Sequence, residues 1–417
     1  MSHVRLRPFR PRRQAVYHPG VIRHVKELFD NGTLVRPSDQ QPNLVHLVRA
    51  VATRSGVRDL DYSPTTRQLL ELIPPADHVV FVLVDGLGMN VVRRLPPETF
   101  IRRHFARQIL ATCPSTTACA LTTITTAQYP NRHAVTGWFT HLPDLGYTIA
   151  TLPFAERMTH EPLAARGIRV EDVLPCPPIC PRMTHHPLTI VPALIASTVY
   201  NVYSRGGTAG LGYHSIAHAV DRAIAHVIEA PEPTYTHVYF PEVDTICHKR
   251  GVDHPDVLPL VLQIDAELAR LKQALGERAR VVVCADHGLI DVPREEQTLL
   301  LVGDPLLELL AVPPSGDARM PIFHVKPGRR DEFVSTFRDR FGESMLLLDI
   351  DQIQELALFG PGEFSPTARA RFGDFVGVAR RPATIAFHPP TKPLTELYLA
   401  VHAGLSPAEM EIPLCVA

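Results

Sequence analysis

The chain has 417 residues, which at about 150 residues per domain predicts two or three domains. Its 42 Lys and Arg against 43 Asp and Glu leave a formal net charge of −1, so it lacks the basic surplus of a nucleic-acid binder and has no charge attraction to a membrane surface. Hydrophobic residues make up 45%, ordinary for a globular chain, which excludes intrinsic disorder and collagen-like or coiled-coil architectures.

At the N-terminus, Arg5, Arg7, Arg10, Arg12 and Arg13 precede no apolar stretch. The segment is therefore not a secretory signal; it reads as a disordered basic arm, with a transit peptide as the alternative. No run approaches the 18 or so apolar residues of a membrane span, and the cytoplasm is the default location. Helical patterns over Val21–Phe29 and Leu44–Ala52 predict a segment, residues 1–75, that wraps the core.

His78-Val-Val-Phe-Val-Leu-Val84 is apolar without a break after its His, which suits a strand buried on both faces of a parallel sheet. A second strand fits Gln108–Thr112, followed by a helix of small residues from about Ala118. A helical pattern through His214–Ile228 leads to a third strand at Tyr235–Phe240, and an amphipathic helix over Val257–Leu275 leads to a fourth at Arg280–Cys284. Strands alternating with helices predict an α/β fold: a doubly wound, mostly parallel sheet with helices on both faces.

Two stretches break the rhythm. Residues of about 140–210 are rich in Pro and His, and 300–385 carry a β-α-β-like passage (Ile322–Val325, Glu332–Phe341, Met345–Leu348). Both read as inserted lid segments over the site. The core is then 76–299 and 386–417, with a lid at about 140–210 and a second lid or cap at 300–385. The 40 prolines are scattered, as in a loop-rich, enzyme-sized protein. Seven loosely spaced cysteines make a disulfide framework improbable. Cys176 and Cys180 with His185 and His186 have poor zinc-knuckle spacing and read as a loop.

Ligands of open α/β sheets bind beyond the carboxyl ends of the strands. Asp85 follows the first strand; Ser115, Thr116 and Thr117 the second; Asp244 and His248 the third; Asp286 and His287 the fourth; His402 lies near the C-terminus. Taken singly, an Asp after a strand is a turn or cap residue, a lone His a surface or core residue, and a Thr before a helix an N-cap. Their joint placement is what carries the functional reading. Asp and neutral His suit zinc and similar ions. Asp244 and His248, at i and i+4, share one helix face. Asp286 and His287 can share a metal only if their strand has ended, because adjacent strand residues face opposite ways. Six Asp and His ligands exceed the four or so that one zinc takes and suit a two-metal site.

Gly86-Leu-Gly88 fails as a dinucleotide fingerprint because position 91 is Val91. P-loop, G-x-S-x-G and H-E-x-x-H motifs are absent from the sequence.

Val82-Leu-Val-Asp-Gly-Leu-Gly88, Pro114-Ser-Thr-Thr-Ala-Cys-Ala-Leu121 running on to Thr126 and Tyr129-Pro-Asn-Arg-His133, Val243–Gly251, Ala285-Asp-His-Gly288 and His402 together resemble the alkaline phosphatase superfamily, in particular the type I phosphodiesterase / nucleotide pyrophosphatase family with its phosphonoacetate hydrolase-like members. The resemblance implies Thr117 as nucleophile. It implies one metal held by Asp85, Thr117, Asp286 and His287, and another by Asp244, His248 and His402. Zinc is the family's usual ion, with manganese an alternative. It further implies a phospho-threonine intermediate and a small phosphorylated substrate; from the charge balance, no nucleic acid polymer and no membrane is expected as a partner. Two features depart from the pattern. Diesterase members often carry an Asn about twenty residues after the nucleophile, where this chain has Gly137-Trp138. Trp138 either stacks on substrate or packs under the lid. Cys113-Pro114-Ser115 does not fit the sulfatase motif.

The expectation is a two-metal hydrolase of phosphodiester or nucleotide pyrophosphate bonds. A phosphomonoesterase or phosphonate hydrolase of the same superfamily is the alternative. A catalytically silent metal-binding scaffold is the alternative from another class, and it is disfavoured because all seven metal-site positions carry competent residues.

Overall fold

The computed structural model describes residues 19–60, 62–390 and 397–417; the expected basic arm lies outside them. Two seven-stranded sheets organise the chain. His78–Val84 is at the middle of the first, in parallel register with Thr234–Phe240 on one side and Ala279–Cys284 on the other. Residues Val79 to Val84 are fully buried, as their unbroken apolar run requires. His186–Pro192 and Ala209–Tyr213 extend the sheet in parallel beyond Thr234–Phe240. On the other flank, Glu411–Val416 runs antiparallel between Ala279–Cys284 and Phe105–Leu110. The sheet is thus mostly parallel with one reversed strand.

Helices cover this sheet for the reason their periodicity states. Val257–Leu275 buries Val257, Val261, Ile264, Leu268, Leu271 and Leu275, a stripe spaced three and four residues apart. Ile216–Glu229 is capped by Ser215, whose hydroxyl accepts the His218 N–H. The helices Pro19–Asp30, Leu44–Arg54 and Pro64–Leu72 contribute Val25, Leu44, Leu47, Val51 and Leu69 to the same core.

The second sheet is antiparallel and discontinuous in sequence. Phe139–Leu142, Tyr147–Ala150 and Ala155–Glu156 pair through Ser315–Asp317 with Met320–Phe323, Phe375–Ala379 and Met345–Asp349. The two stretches read as separate insertions therefore share one cap. The stretch at about 140–210 is not lid throughout. His186–Pro192 and Ala209–Tyr213 belong to the main sheet, although the prolines of one and the glycines of the other resemble loop sequence. No disulfide links the cysteines: all seven are free.

Candidate active site

Each site residue sits just past a strand of the parallel sheet or on a segment folded against it. The first strand ends at Val84, and Asp85 follows with its N–H bonded to the Phe240 carbonyl. The strand Ala279–Cys284 ends two residues before Asp286, so Asp286 and His287 are free to turn to one side. Asp286 Oδ1 accepts from the N–H groups of Gly86 and His287, tying the two strand ends together. Close approach here demands glycine: a Cβ on Gly88 would come within 2.7 Å of Gly288 Cα.

The helix Glu242–Arg250 carries Asp244 and His248 one turn apart, with His248 Nε2 3.2 Å from Asp244 Oδ1. His402 Nε2 is 3.8 Å from the same oxygen. Thr117 is the first residue of the helix Thr117–Thr126, and its Oγ1 lies 3.1 Å from His287 Nε2 and 3.5 Å from Asp85 Oδ2. His287 Nε2 is also 3.5 Å from Asp85 Oδ1 and 3.4 Å from Asp286 Oδ2. The His287 and His402 rings stack with centroids 3.8 Å apart. All seven residues singled out in the sequence thus converge on one patch.

The three histidines are oriented alike. Nδ1 of His248 faces the Ala400 carbonyl at 2.7 Å, that of His402 the Ser115 carbonyl at 3.1 Å, and that of His287 the Gly288 carbonyl at 3.2 Å. Carbonyls only accept, so each Nδ1 donates and each Nε2 is turned inward, where in the neutral ring its lone pair is free to take a metal.

The electrostatics point the same way. Burial raises the Asp85 carboxyl well above its usual range, and the Asp286 and Asp244 carboxylates add to it. Asp286 is raised chiefly by burial. Burial would also raise Asp244, but the His248, His402 and His287 rings outweigh it and hold Asp244 low. His402 is pushed well below the ordinary histidine value by burial, then by the His287 ring. Asp85 Oδ1, Asp244 Oδ1 and Asp286 Oδ2 are buried without a hydrogen-bond partner. Three crowded, partly unsatisfied carboxylates are costly unless a cation joins them. Two overlapping ligand clusters, Asp244-His248-His402 and Asp85-Asp244-His287, each bring their donor atoms within 4.8 Å of one another. The donor set fits divalent ions.

Three residues here were not evident from the sequence. The Tyr239 hydroxyl donates to Asp85 Oδ2. The Tyr398 ring lies 4.4 Å from that of His248. Asp317, at the end of the cap strand Ser315–Asp317, accepts the Trp138 N–H on Oδ2 at 2.9 Å. Tyr239 lies in a strand buried on both faces, so no local pattern singles it out; the other two are brought in by pairings far apart in sequence. Trp138 is 38% exposed, so it does not pack beneath the cap as a core residue.

No helix of the described residues is long and apolar enough to cross a membrane. No functionally curated protein matches the chain. Among solved structures, murine ectonucleotide pyrophosphatase / phosphodiesterase 5 is similar with a TM-score of 0.60 at 17% identity, over 81% of this chain and 87% of that one. The human counterpart gives a TM-score of 0.61 at 16% identity, over 81% and 87%. Phosphonoacetate hydrolase from Sinorhizobium meliloti 1021, in complex with phosphonoformate, gives 0.60 at 17% identity, over 82% and 91%. These likenesses show a shared fold. The profile of one sequence family, type I phosphodiesterase / nucleotide pyrophosphatase, matches residues 79–398, most of the chain and every one of the seven candidate residues except His402. The chain belongs to the type I phosphodiesterase / nucleotide pyrophosphatase family, within the alkaline phosphatase superfamily.

Proposed function

We propose that the protein hydrolyses phosphodiester or nucleotide pyrophosphate bonds with two divalent ions, zinc in the first instance, through a phospho-threonine on Thr117. The observation that carries this reading is the position of Thr117 Oγ1, between His287 Nε2 and Asp85 Oδ2 at the start of a ten-residue helix. Its neighbours are engaged differently. The Ser115 hydroxyl donates to the Gly404 carbonyl at 2.7 Å, and Thr116 Oγ1 is buried without a hydrogen-bond partner.

Asp85, Thr117, Asp286 and His287 would hold one ion, and Asp244, His248 and His402 the other. When bound, such ions lower the pKa of a coordinated hydroxyl and neutralise charge on the phosphoryl group. The chain's own residues do the rest. Thr117 Oγ attacks phosphorus, the bond to the leaving oxygen breaks, and water later cleaves the Oγ–P bond to release phosphate or its ester. The helix start turns unpaired N–H groups and the positive end of the helix dipole toward the phosphoryl oxygens. Carbonyl contacts at each histidine Nδ1 keep the site rigid, so little reorganisation is needed as charge develops.

Two facts about related proteins support the reading. The murine enzyme has been solved as an inactive threonine-to-alanine variant in complex with AMP, and the Sinorhizobium enzyme in complex with phosphonoacetate. The second also keeps phosphonate hydrolysis as the next reading, since Gly137-Trp138 stands where diesterases carry an Asn. The test is a panel of nitrophenyl phosphate diesters, monoesters and phosphonates, and a nucleotide pyrophosphate, with zinc or manganese. Turnover of diester or pyrophosphate above the others is expected. Preference for the phosphonate would transfer the assignment, and no turnover of any of them would leave the silent scaffold as the better reading.

A further inference from the structure

Tyr239 belongs to the parallel sheet, not to the loops and helices that carry the candidate ligands, yet its hydroxyl donates to Asp85 Oδ2 at 2.5 Å. Register explains the contact. Leu83 of the strand His78–Val84 pairs with Tyr239, so the two side chains lie on one face of the sheet. Asp85 is two residues beyond Leu83, and the bond from its N–H to the Phe240 carbonyl at 2.9 Å carries the ladder past the strand end. Asp85 therefore shares that face and comes within reach of the phenol. Tyr239 is itself held in place. It is buried, and its carbonyl accepts the Tyr213 hydroxyl at 3.1 Å. The same hydroxyl lies 2.9 Å from Glu242 Oε1, at the start of the helix that carries Asp244 and His248.

The contact makes the two Asp85 oxygens unequal. Oδ2 has the phenol, with Thr117 Oγ1 farther off at 3.5 Å. Oδ1 is 3.5 Å from His287 Nε2 and, among the described residues, is buried without a hydrogen-bond partner. Rotation about the Cβ–Cγ bond would exchange the two oxygens unless one of them is tied, and the phenol ties Oδ2. A phenylalanine would supply the same ring without a buried hydroxyl that needs a partner, so the hydroxyl is the part of Tyr239 that the site uses.

We infer that Tyr239 is a positioning residue: its hydroxyl fixes the Asp85 carboxylate so that Oδ1, beside His287 Nε2, is the oxygen left free to bind an ion. It acts through Asp85 and not on the substrate. The inference rests on the proposed reading of Asp85, Thr117, Asp286 and His287 as one metal site. A hydrogen bond from outside the ligand set to a ligating carboxylate strengthens metal binding because the ligand is oriented before the ion arrives.

The test titrates zinc into metal-stripped protein against a chromophoric chelator, for the wild type, Tyr239→Phe and Tyr239→4-aminophenylalanine. The first variant removes only the hydroxyl. The second keeps the ring and returns an N–H donor to the same place. Tyr239→Phe should weaken one zinc equivalent on the order of tenfold and leave the other unchanged, and the amine should recover most of the loss. A merely structural hydroxyl would lower the Tm of the metal-free protein and leave both zinc affinities as they are. That result would overturn the inference, as would equal weakening of both ions, no recovery with the amine, or failure of Tyr239→Phe to fold. If the wild type binds zinc but hydrolyses none of the esters, the proposed function fails by itself, and the affinity difference still decides the role of Tyr239. A wild type that binds no zinc removes both.

Discussion

The Ser115 carbonyl oxygen lies 3.1 Å from His402 Nδ1 and also accepts the Ala403 N–H at 2.8 Å. The loop that leads into Thr117 and the turn that carries His402 are thereby one structural unit. The Ser115 hydroxyl adds a third bond, to the Gly404 carbonyl. This registers residues far apart in sequence, and it couples the position of Thr117 to that of His402.

Metal loading should stabilise the fold. Asp85, Asp244 and Asp286 present unsatisfied oxygens to one another. An ion at a hundred times its Kd adds about 2.7 kcal/mol. Zinc added to metal-stripped protein should raise Tm by several degrees, and chelation should abolish hydrolysis reversibly. A Tm indifferent to zinc and manganese, with full activity in protein shown metal-free by elemental analysis, would sink the two-metal reading.

Thr117→Ala should remove nearly all turnover while keeping the fold and most bound metal. Thr117→Ser should keep partial activity because it keeps a hydroxyl. Peptide mass spectrometry of trapped enzyme should find the phosphoryl adduct on Thr117. An adduct on Ser115 or Thr116, or near-normal turnover by Thr117→Ala, reverses the assignment.

Asp286→Ala and His402→Ala should each lose at least about a hundredfold in kcat, the size of a lost transition-state charge contact. Elemental analysis should show lower metal content in both. Two bound ions and normal turnover in His402→Ala would mean that another histidine holds the second ion.

Arg319 and Glu409 form a fully buried ion pair, with Nε to Oε1 at 2.6 Å and Nη2 to Oε2 at 2.9 Å. Glu409 also accepts the Gly404 N–H at 2.7 Å and the Ser406 hydroxyl at 2.6 Å, so the pair braces the His402 turn against the cap. Removing one partner should cost about 3–5 kcal/mol, because it strands a buried charge. Urea unfolding of Arg319→Met should show this, and Arg319→Met/Glu409→Leu should recover much of it. A single variant as stable as wild type would contradict the role.

Acid should destabilise the protein through two buried histidines away from the candidate metal ligands. Burial, then Arg49, lowers His46 to about 4, and burial lowers His133 to about 3. Both values lie below the unfolded value of about 6.5. Above pH 6.5 both states are neutral and the stability is fully present. As pH falls, the unfolded chain takes up protons that the native state refuses, so stability is lost down to about pH 3–4. Urea unfolding between pH 7.5 and 5 should show the decline, and His133→Gln should make it shallower. An identical slope in the variant would remove His133 from the account.

The sequence made the site more legible than its surroundings. His78–Val84 and Ala279–Cys284 are continuous apolar runs with chemistry at their ends, so Asp85, Asp286 and His287 were visible as strand-end residues. The i, i+4 spacing of Asp244 and His248 needed only a helix, which Glu242–Arg250 provides. The expected strand Gln108–Thr112 was displaced, because Phe105–Leu110 begins in exposed residues that carry no periodic signal. Glu411–Val416 escaped notice because it is short and interrupted by Pro413, which is tolerated where Pro413 pairs with Gln108 and the ladder to Ala279–Cys284 has not begun. Asp317 had no local signature, since only cross-strand pairing of residues far apart in sequence delivers it to Trp138.

The reversed strand has a consequence for assembly. Among the described residues, apart from a single bridge between Asn43 and Leu110, Phe105–Leu110 finds its sheet partner only in Glu411–Val416. The parallel strands from Ala209–Tyr213 to Ala279–Cys284 can join without either of them. Such long-range closure is slow, because loop entropy is lost before the contacts that repay it can form. Without Glu411–Val416, Ala279–Cys284 would be an open edge, able to pair with another chain. The same segment, 402–416, that carries the candidate ligand His402 therefore also covers the edge of the parallel strands at Ala279–Cys284.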